Sequence, residues 1–132
     1  MKYSKATNYA LHTIVYMIEQ ARNEKISVQK LADHFNVSTT YLSKILTQLV
    51  KANLIESTTG VKGGYVLSKK VEDISFLDVI YAIEGNAAFF KCEFKDSKCL
   101  IHKTMIEAES LMEEYLQNKK LYQVAQNECQ GE

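Results

Sequence analysis

The stretch Ser27–Lys51, SVQKLADHFNVSTTYLSKILTQLVK, leaves the chain few ways to fold. Ser27 is an N-cap, and Val28, Leu31, Ala32 and Phe35 follow at helical spacing. Asn36 tolerates a positive φ, Val37 fills a corner, and Ser38 caps a second helix with Tyr41, Leu42, Ile45, Leu46 and Leu49 inward. Ala32 is small where a second helix must approach closely. The pattern predicts a helix-turn-helix, although a helical hairpin of another fold would show similar spacing. The second helix also carries Thr39, Thr40, Ser43, Lys44, Thr47 and Gln48, a polar face unsuited to a core. Such a face needs a partner, and the major groove of DNA fits it.

The residues that follow strengthen this reading. From Leu54 the run LIESTT is extended, Gly60-Val-Lys-Gly-Gly64 is a turn requiring permissive backbone, and YVLS resumes the extended pattern. A β-hairpin directly after a helix-turn-helix is the order of a winged helix. Lys62, at a glycine-rich tip, is placed to meet a phosphate or the minor groove. A nucleotide-binding loop fits poorly, because no helix start follows the glycines at the spacing a phosphate cradle needs.

The formal net charge is zero, yet charge is divided along the chain. Met1–Lys70 holds ten Lys and Arg against four acids, and Val71–Glu132 holds six against twelve. A polyanion is drawn to the first part and repelled from the second. No stretch has the roughly 18 apolar residues that span a bilayer, and no apolar signal core opens the chain, so a cytoplasmic protein is expected. Three cysteines do not make the disulfide framework of a small secreted protein.

Elsewhere, Ser4 caps a first helix with an apolar stripe through Ala6, Ala10, Ile14, Met17, Ile18 and Ala21, stopped near Asn23. Ser75-Phe-Leu-Asp78 opens a further helix that ends at Gly85. After a loop holding Cys92, Ser97 is the expected cap of a long helix. In it Ile101, Met105, Ala108, Met112 and Tyr115 form a heptad-like seam, with Glu107, Glu109, Glu113 and Glu114 on the face left to water. So long a seam calls for a second subunit. Leu121–Glu132 reads as a short helix or a frayed tail. The fold class is therefore mainly α with a small β-hairpin wing, a winged helix-turn-helix plus a long C-terminal dimerisation helix. Residues 1–85 are the expected DNA-binding domain, and 86–132 the sensor loop and dimerisation helix.

The segments NYALHTIVYM, VSTTYLSKILTQLVKANLI and GVKGGYVLSKKVEDISFLDVIYAIEG together resemble the Rrf-type (Rrf-two) winged-helix regulators, the family of IscR, NsrR and CymR. The resemblance covers nearly the whole chain. It implies a homodimeric bacterial transcription regulator whose long C-terminal helices cross. Carried over by position, Ser38, Thr39, Thr40, Tyr41, Ser43 and Lys44 become recognition-helix contacts, and Gly60, Lys62, Gly63, Gly64 and Tyr65 belong to the wing. Many members resembling this chain have Arg before the first wing glycine, where it enters the minor groove; here that position is Thr59. Cluster-binding members place three cysteines in the loop and at the start of the long helix, whereas this chain has Cys92 and Cys99, with Cys129 far along.

The cysteines leave several readings open. Cys92, Cys99 and His102 would give a [2Fe-2S] cluster three of the four protein ligands it normally takes. Zinc is disfavoured by the C-x6-C spacing. Lys91 and Lys98 each precede a cysteine, and a neighbouring cation favours the reactive thiolate, so a thiol switch needing no cofactor is preferred. Incidental thiols, with a small-molecule or protein signal instead, are the remaining reading. The function expected is a sequence-specific repressor of a palindromic operator, released by a signal read near Cys92 and Cys99. The alternatives are an iron-sulfur-sensing regulator and a module that docks a protein on its winged helix. An enzyme is not expected, since His12, His34 and His102 fall on separate elements and no cysteine has a histidine and a carboxylate arranged as partners.

Overall fold

The computed structural model describes residues 3–20, 24–61, 63–85 and 99–128, the side chains of 126–128 excepted. Its elements run α1 (Lys5–Glu19), α2 (Val28–Phe35), α3 (Thr39–Lys51), β1 (Ile55–Thr58), β2 (Gly64–Leu67), a 3-10 turn (Val71–Asp73), α4 (Phe76–Glu84), α5 (Leu100–Asn118) and α6 (Leu121–Glu128). This is the mainly helical winged helix-turn-helix with a following long helix that the sequence predicts.

Helix boundaries are set by serine hydroxyls. Ser4, Ser27, Ser38 and Ser75 each accept a hydrogen bond from the backbone N–H three residues on, and Ser75 and Asp78 close a full capping box. Asn36 ends α2 in the left-handed conformation, at φ 56° and ψ 49°, which turns the chain into α3. Helix α1 stops at Glu19, earlier than expected, and Asn23 lies outside the described residues.

Helix α1 has no acid in its own first turn, and α4 supplies one. Glu84 Oε2 accepts from Ser4 N–H (3.1 Å), Ser4 Oγ (2.5 Å) and Thr7 Oγ1 (2.5 Å). A carboxylate at a helix N-terminus satisfies otherwise orphaned donors and favours the dipole. The same bonds satisfy the buried hydroxyl of Thr7 and fasten the end of α4 to the start of α1.

The core lies between α1, α3 and α4. Ala10 and Ile14 of α1 are fully buried with Leu42, Leu46 and Leu49 of α3, and Val79 of α4 joins them. Strands β1 and β2 pair antiparallel in the register Ile55 with Leu67 through Thr58 with Gly64. Ile26, just before α2, forms a further bridge with Tyr65 through two backbone bonds, N–H of Ile26 to Tyr65 O (3.0 Å) and N–H of Tyr65 to Ile26 O (2.8 Å).

Of the two readings of the chain after Leu121 the short helix holds, and one expectation for α5 needs correction. The chain after Leu121 forms helix α6, with Leu121 and Ala125 buried in the same core as Ile14 and Leu46. Backbone bonds from Phe76 N–H to Lys119 O (3.0 Å) and from Leu121 N–H to Ile74 O (3.0 Å) lock its start to that of α4. On α5, two of the four acids expected in water are not there: Glu109 is 8% exposed and Glu113 is half-buried against α4, whereas Glu107 and Glu114 are exposed. Ile101, Leu111 and Tyr115 point outward instead, at 72%, 68% and 65% exposure. The cap of α5 is Cys99 rather than Ser97, which lies outside the described residues.

Because Leu121 is fully buried, Leu121→Ala is expected to lower the unfolding free energy by about 2–5 kcal/mol. Urea unfolding would then show a lower midpoint at an unchanged slope, whereas a frayed tail predicts no shift.

Candidate nucleic-acid interface

Burial of Leu42, Ile45, Leu46 and Leu49 on one side of α3 turns the other side out. Thr40, Lys44 and Thr47 are exposed there, and Thr39, Ser43 and Gln48 are half-buried beside them. Not every hydroxyl is free for a partner. Ser38 Oγ accepts from Tyr41 N–H (3.0 Å), and Thr47 Oγ1 donates to Ser43 O (2.8 Å). The Tyr41 ring is half-buried and meets Tyr9 of α1 edge-on, with centroids 5.8 Å apart, so it steadies the start of α3. Tyr9 also meets Phe35 edge-on at 5.9 Å, and the Tyr16 and His34 rings lie 4.0 Å apart. This aromatic seam fixes the helix-turn-helix against α1.

The wing residues divide by role. Gly60, at φ 102°, and Val61 form the exposed turn, with Gly63 N–H donating to Gly60 O (2.9 Å). Gly64 is buried, and a Cβ there would stand 2.9 Å from Ile26 O. Gly64 and Tyr65 thus attach the hairpin to the segment before α2. Lys62 lies outside the described residues. Lys25, Lys30, Lys44, Lys51, Lys69 and Lys70 are all exposed around this half of the molecule.

Of the expected sensor residues, Cys92 and Cys129 lie outside the described residues. Cys99 is a free, half-buried thiol at the N-cap of α5, and its side chain makes no capping bond. His102 is half-buried one turn later. Cys99 and His102 supply two donors, and no group of three His, Cys, Asp or Glu placed to hold a metal occurs among the described residues. Those donors alone do not make an iron-sulfur site. No helix among the described residues is long and apolar enough to cross a membrane.

Sequence reasoning missed the contact that links α5 to α4. Tyr81 donates its phenol proton to Glu113 Oε2. That bond, with burial and the charges of Glu113 and Glu109, pushes the Tyr81 phenol up from 10.0 to about 12. Nothing in the spacing of either helix pairs these residues, because their separation in sequence hides a contact made by tertiary packing.

A polar-faced second helix beside a hairpin wing defines a winged helix-turn-helix DNA-binding protein. The family model described as "Rrf2: Iron-dependent Transcriptional regulator" matches residues 3–127, and the chain belongs to this family. A relative provisionally named HTH-type transcriptional regulator YffB, from Lactococcus lactis subsp. lactis (strain IL1403), is 33% identical over 136 residues, covering 95% of this chain and 87% of the relative. The structure of CymR (YrzC), the global cysteine regulator of B. subtilis, superposes with a TM-score of 0.84 at 25% identity, covering 96% of this chain and 97% of that one. The oxidized form of Staphylococcus aureus CymR gives a TM-score of 0.75 at 29% identity, covering 95% and 96%. The chain is a transcriptional regulator by family, and its relatives are regulators rather than enzymes.

The Tyr81 bond is tested by ultraviolet titration of tyrosinate. The raised folded value means that its stabilisation is complete below pH 10.0 and is lost as pH rises through about 12. The native protein should show a component titrating near 12; Tyr81→Phe should remove it, and Glu113→Gln should bring it down toward 10.0.

Proposed function

We propose that the protein is a homodimeric, sequence-specific DNA-binding repressor that acts in the cytoplasm on a palindromic operator. The observation that carries this is the outward polar face of α3, with Thr40 and Lys44 exposed beside an anchored wing. Residues 1–85 grip DNA, and 86–132 sense the signal and pair the subunits. Lys44 supplies a phosphate or guanine contact, while Thr40 and Ser43 bear on base choice. Ser38, Thr39 and Tyr41 set the start of the helix, and Gly60, Lys62 and Gly63 bring the wing to the backbone. With Thr59 before the first wing glycine, no arginine is available there for the minor groove.

Dimerisation is supported by the surface of α5. Ile101, Leu111, Met112 and Tyr115 make an exposed apolar stripe along it, which a lone subunit would leave in water. A second copy covering it sets two recognition helices at a fixed distance, which a two-fold operator matches.

The signal is thiol oxidation at Cys92 and Cys99, needing no bound cofactor. It is supported by the free thiol of Cys99 where the sensor loop enters α5, and by likeness to a regulator whose structure is known in an oxidized form. Chemistry at that point moves α5, and through the pair it moves the recognition helices.

Lys44→Ala is expected to weaken operator binding and to reduce the salt slope of log K by about 0.9. Gel shifts across a salt series measure both, and an unchanged slope removes Lys44 from the interface. If the wild type binds no promoter DNA at low salt in either redox state, a protein-docking role replaces this one. Protein purified without oxygen should be colourless and change mobility on non-reducing gels after peroxide. A brown, iron-containing sample would instead establish a cluster.

A further inference from the structure

We propose that Val61, at the tip of the wing, enters the minor groove of the operator and selects A·T over G·C base pairs there. This rests on the DNA-binding reading and adds a base-selecting residue to it. Val61 is 106% exposed, more than any other large hydrophobic among the described residues. Turn tips favour Gly, Asn, Asp and Ser, so neither packing nor turn chemistry calls for a β-branched apolar side chain at this place. Glycines on both flanks keep the tip slim. Gly60 takes φ 102°, and the bond from Gly63 N–H to Gly60 O (2.9 Å) closes the turn with Val61 at its corner. A Cβ on Gly63 would stand 2.5 Å from Thr58 O, so no side chain fits there.

The chemistry of an isopropyl group narrows what it can meet on DNA. With neither charge nor hydrogen-bonding atoms it gains nothing from a phosphate. The minor groove, about 6 Å wide, offers the apolar carbons of the sugars as walls. Both kinds of base pair present acceptors on its floor, and G·C alone adds the amino group of guanine N2. An apolar side chain pressed over that amino group would strip a donor of water and give it no partner. Over A·T no such donor is present. The bridge between Ile26 and Tyr65 holds the hairpin to the segment leading into α2, so with α3 in the major groove the tip has a fixed place beside it.

Selection of duplexes from a random-sequence pool, by the full chain and by Val61→Ala, tests this. The wild type should enrich a half-site flanked by A·T, and Val61→Ala the same half-site without that flanking preference. In the best wild-type duplex, changing the preferred flanking A·T to G·C should weaken binding by about tenfold. Inosine·C, which lacks the N2 amino group, should bind as A·T does, and 2,6-diaminopurine·T, which carries one, as G·C does. Val61→Ala should bring all four duplexes within about twofold and leave the salt slope of log K unchanged, because no charge is lost. Val61→Thr, of the same shape but with an acceptor for the amino group, should bind the G·C duplex better than the wild type does. A·T flanks that persist in Val61→Ala, or that the wild type never selects, would overturn this proposal alone. Enrichment of no duplex by either protein would overturn the DNA reading and this proposal with it.

Discussion

The seating of α3 on the core governs the rest of the molecule. Leu42, Leu46 and Leu49 are fully buried and Ile45 nearly so, which fixes both the height and the rotation of the helix. Each such side chain contributes about 1.5–3 kcal/mol by leaving water, far more than any surface contact of α3 supplies. Rotation about the helix axis would expose this face, so Thr40 and Lys44 have one direction available to them. Specificity for a groove requires such rigidity, because a side chain that reads a base edge must arrive within hydrogen-bond range. The aromatic contacts of Tyr41 and Phe35 with Tyr9 carry the same constraint to the turn between α2 and α3.

The wing is rigid for a different reason. Two strands of four residues make a weak hairpin on their own. Here the bridge between Ile26 and Tyr65 adds a third backbone, and buried Gly64 lets that backbone come close. The segment that bonds the wing is also the one that leads into α2. Helix-turn-helix and wing are therefore one body rather than two appendages.

Local chemistry made much of this legible. The serine caps of α1 to α4, the left-handed Asn36 and the inward apolar residues of α3 act over a few residues, and each appears in the structure where the sequence implies it, whereas the cap of α5 is Cys99 and not the expected Ser97. What escaped was tertiary. Glu84 reads as the unremarked end of α4, yet it caps α1. A short helix from Leu121 is one of the two readings the sequence offers, but neither includes the burial of Leu121 and Ala125 in the core, although their spacing of four fits one buried side. On α5 the periodicity assigned all four acids to solvent, where Glu107 and Glu114 are but Glu109 and Glu113 are not, because periodicity says which residues share a face and not which neighbour that face meets. For the site itself, exposure of Thr40 and Lys44 was readable, whereas the structural duties of Gly64 and Tyr41 were not.

The arrangement of α5 ties these strands together. Its inner side bonds α4 through Glu113 and Tyr81, and its last carbonyls lead into Lys119, whose oxygen accepts from the first N–H of α4. Helix α5 is thus held to α4 at Glu113 and just beyond its C-terminal end. Helix α4 in turn packs on α3 through Val79 in the shared core, and through Glu84 it caps α1. A displacement of α5 cannot be absorbed by a loose joint at its C-terminal end, because α6 buries Leu121 there. It must be passed to α4, and from α4 to the helix that carries Thr40 and Lys44. At the other end of α5 the cap residue, Cys99, makes no capping bond with its side chain.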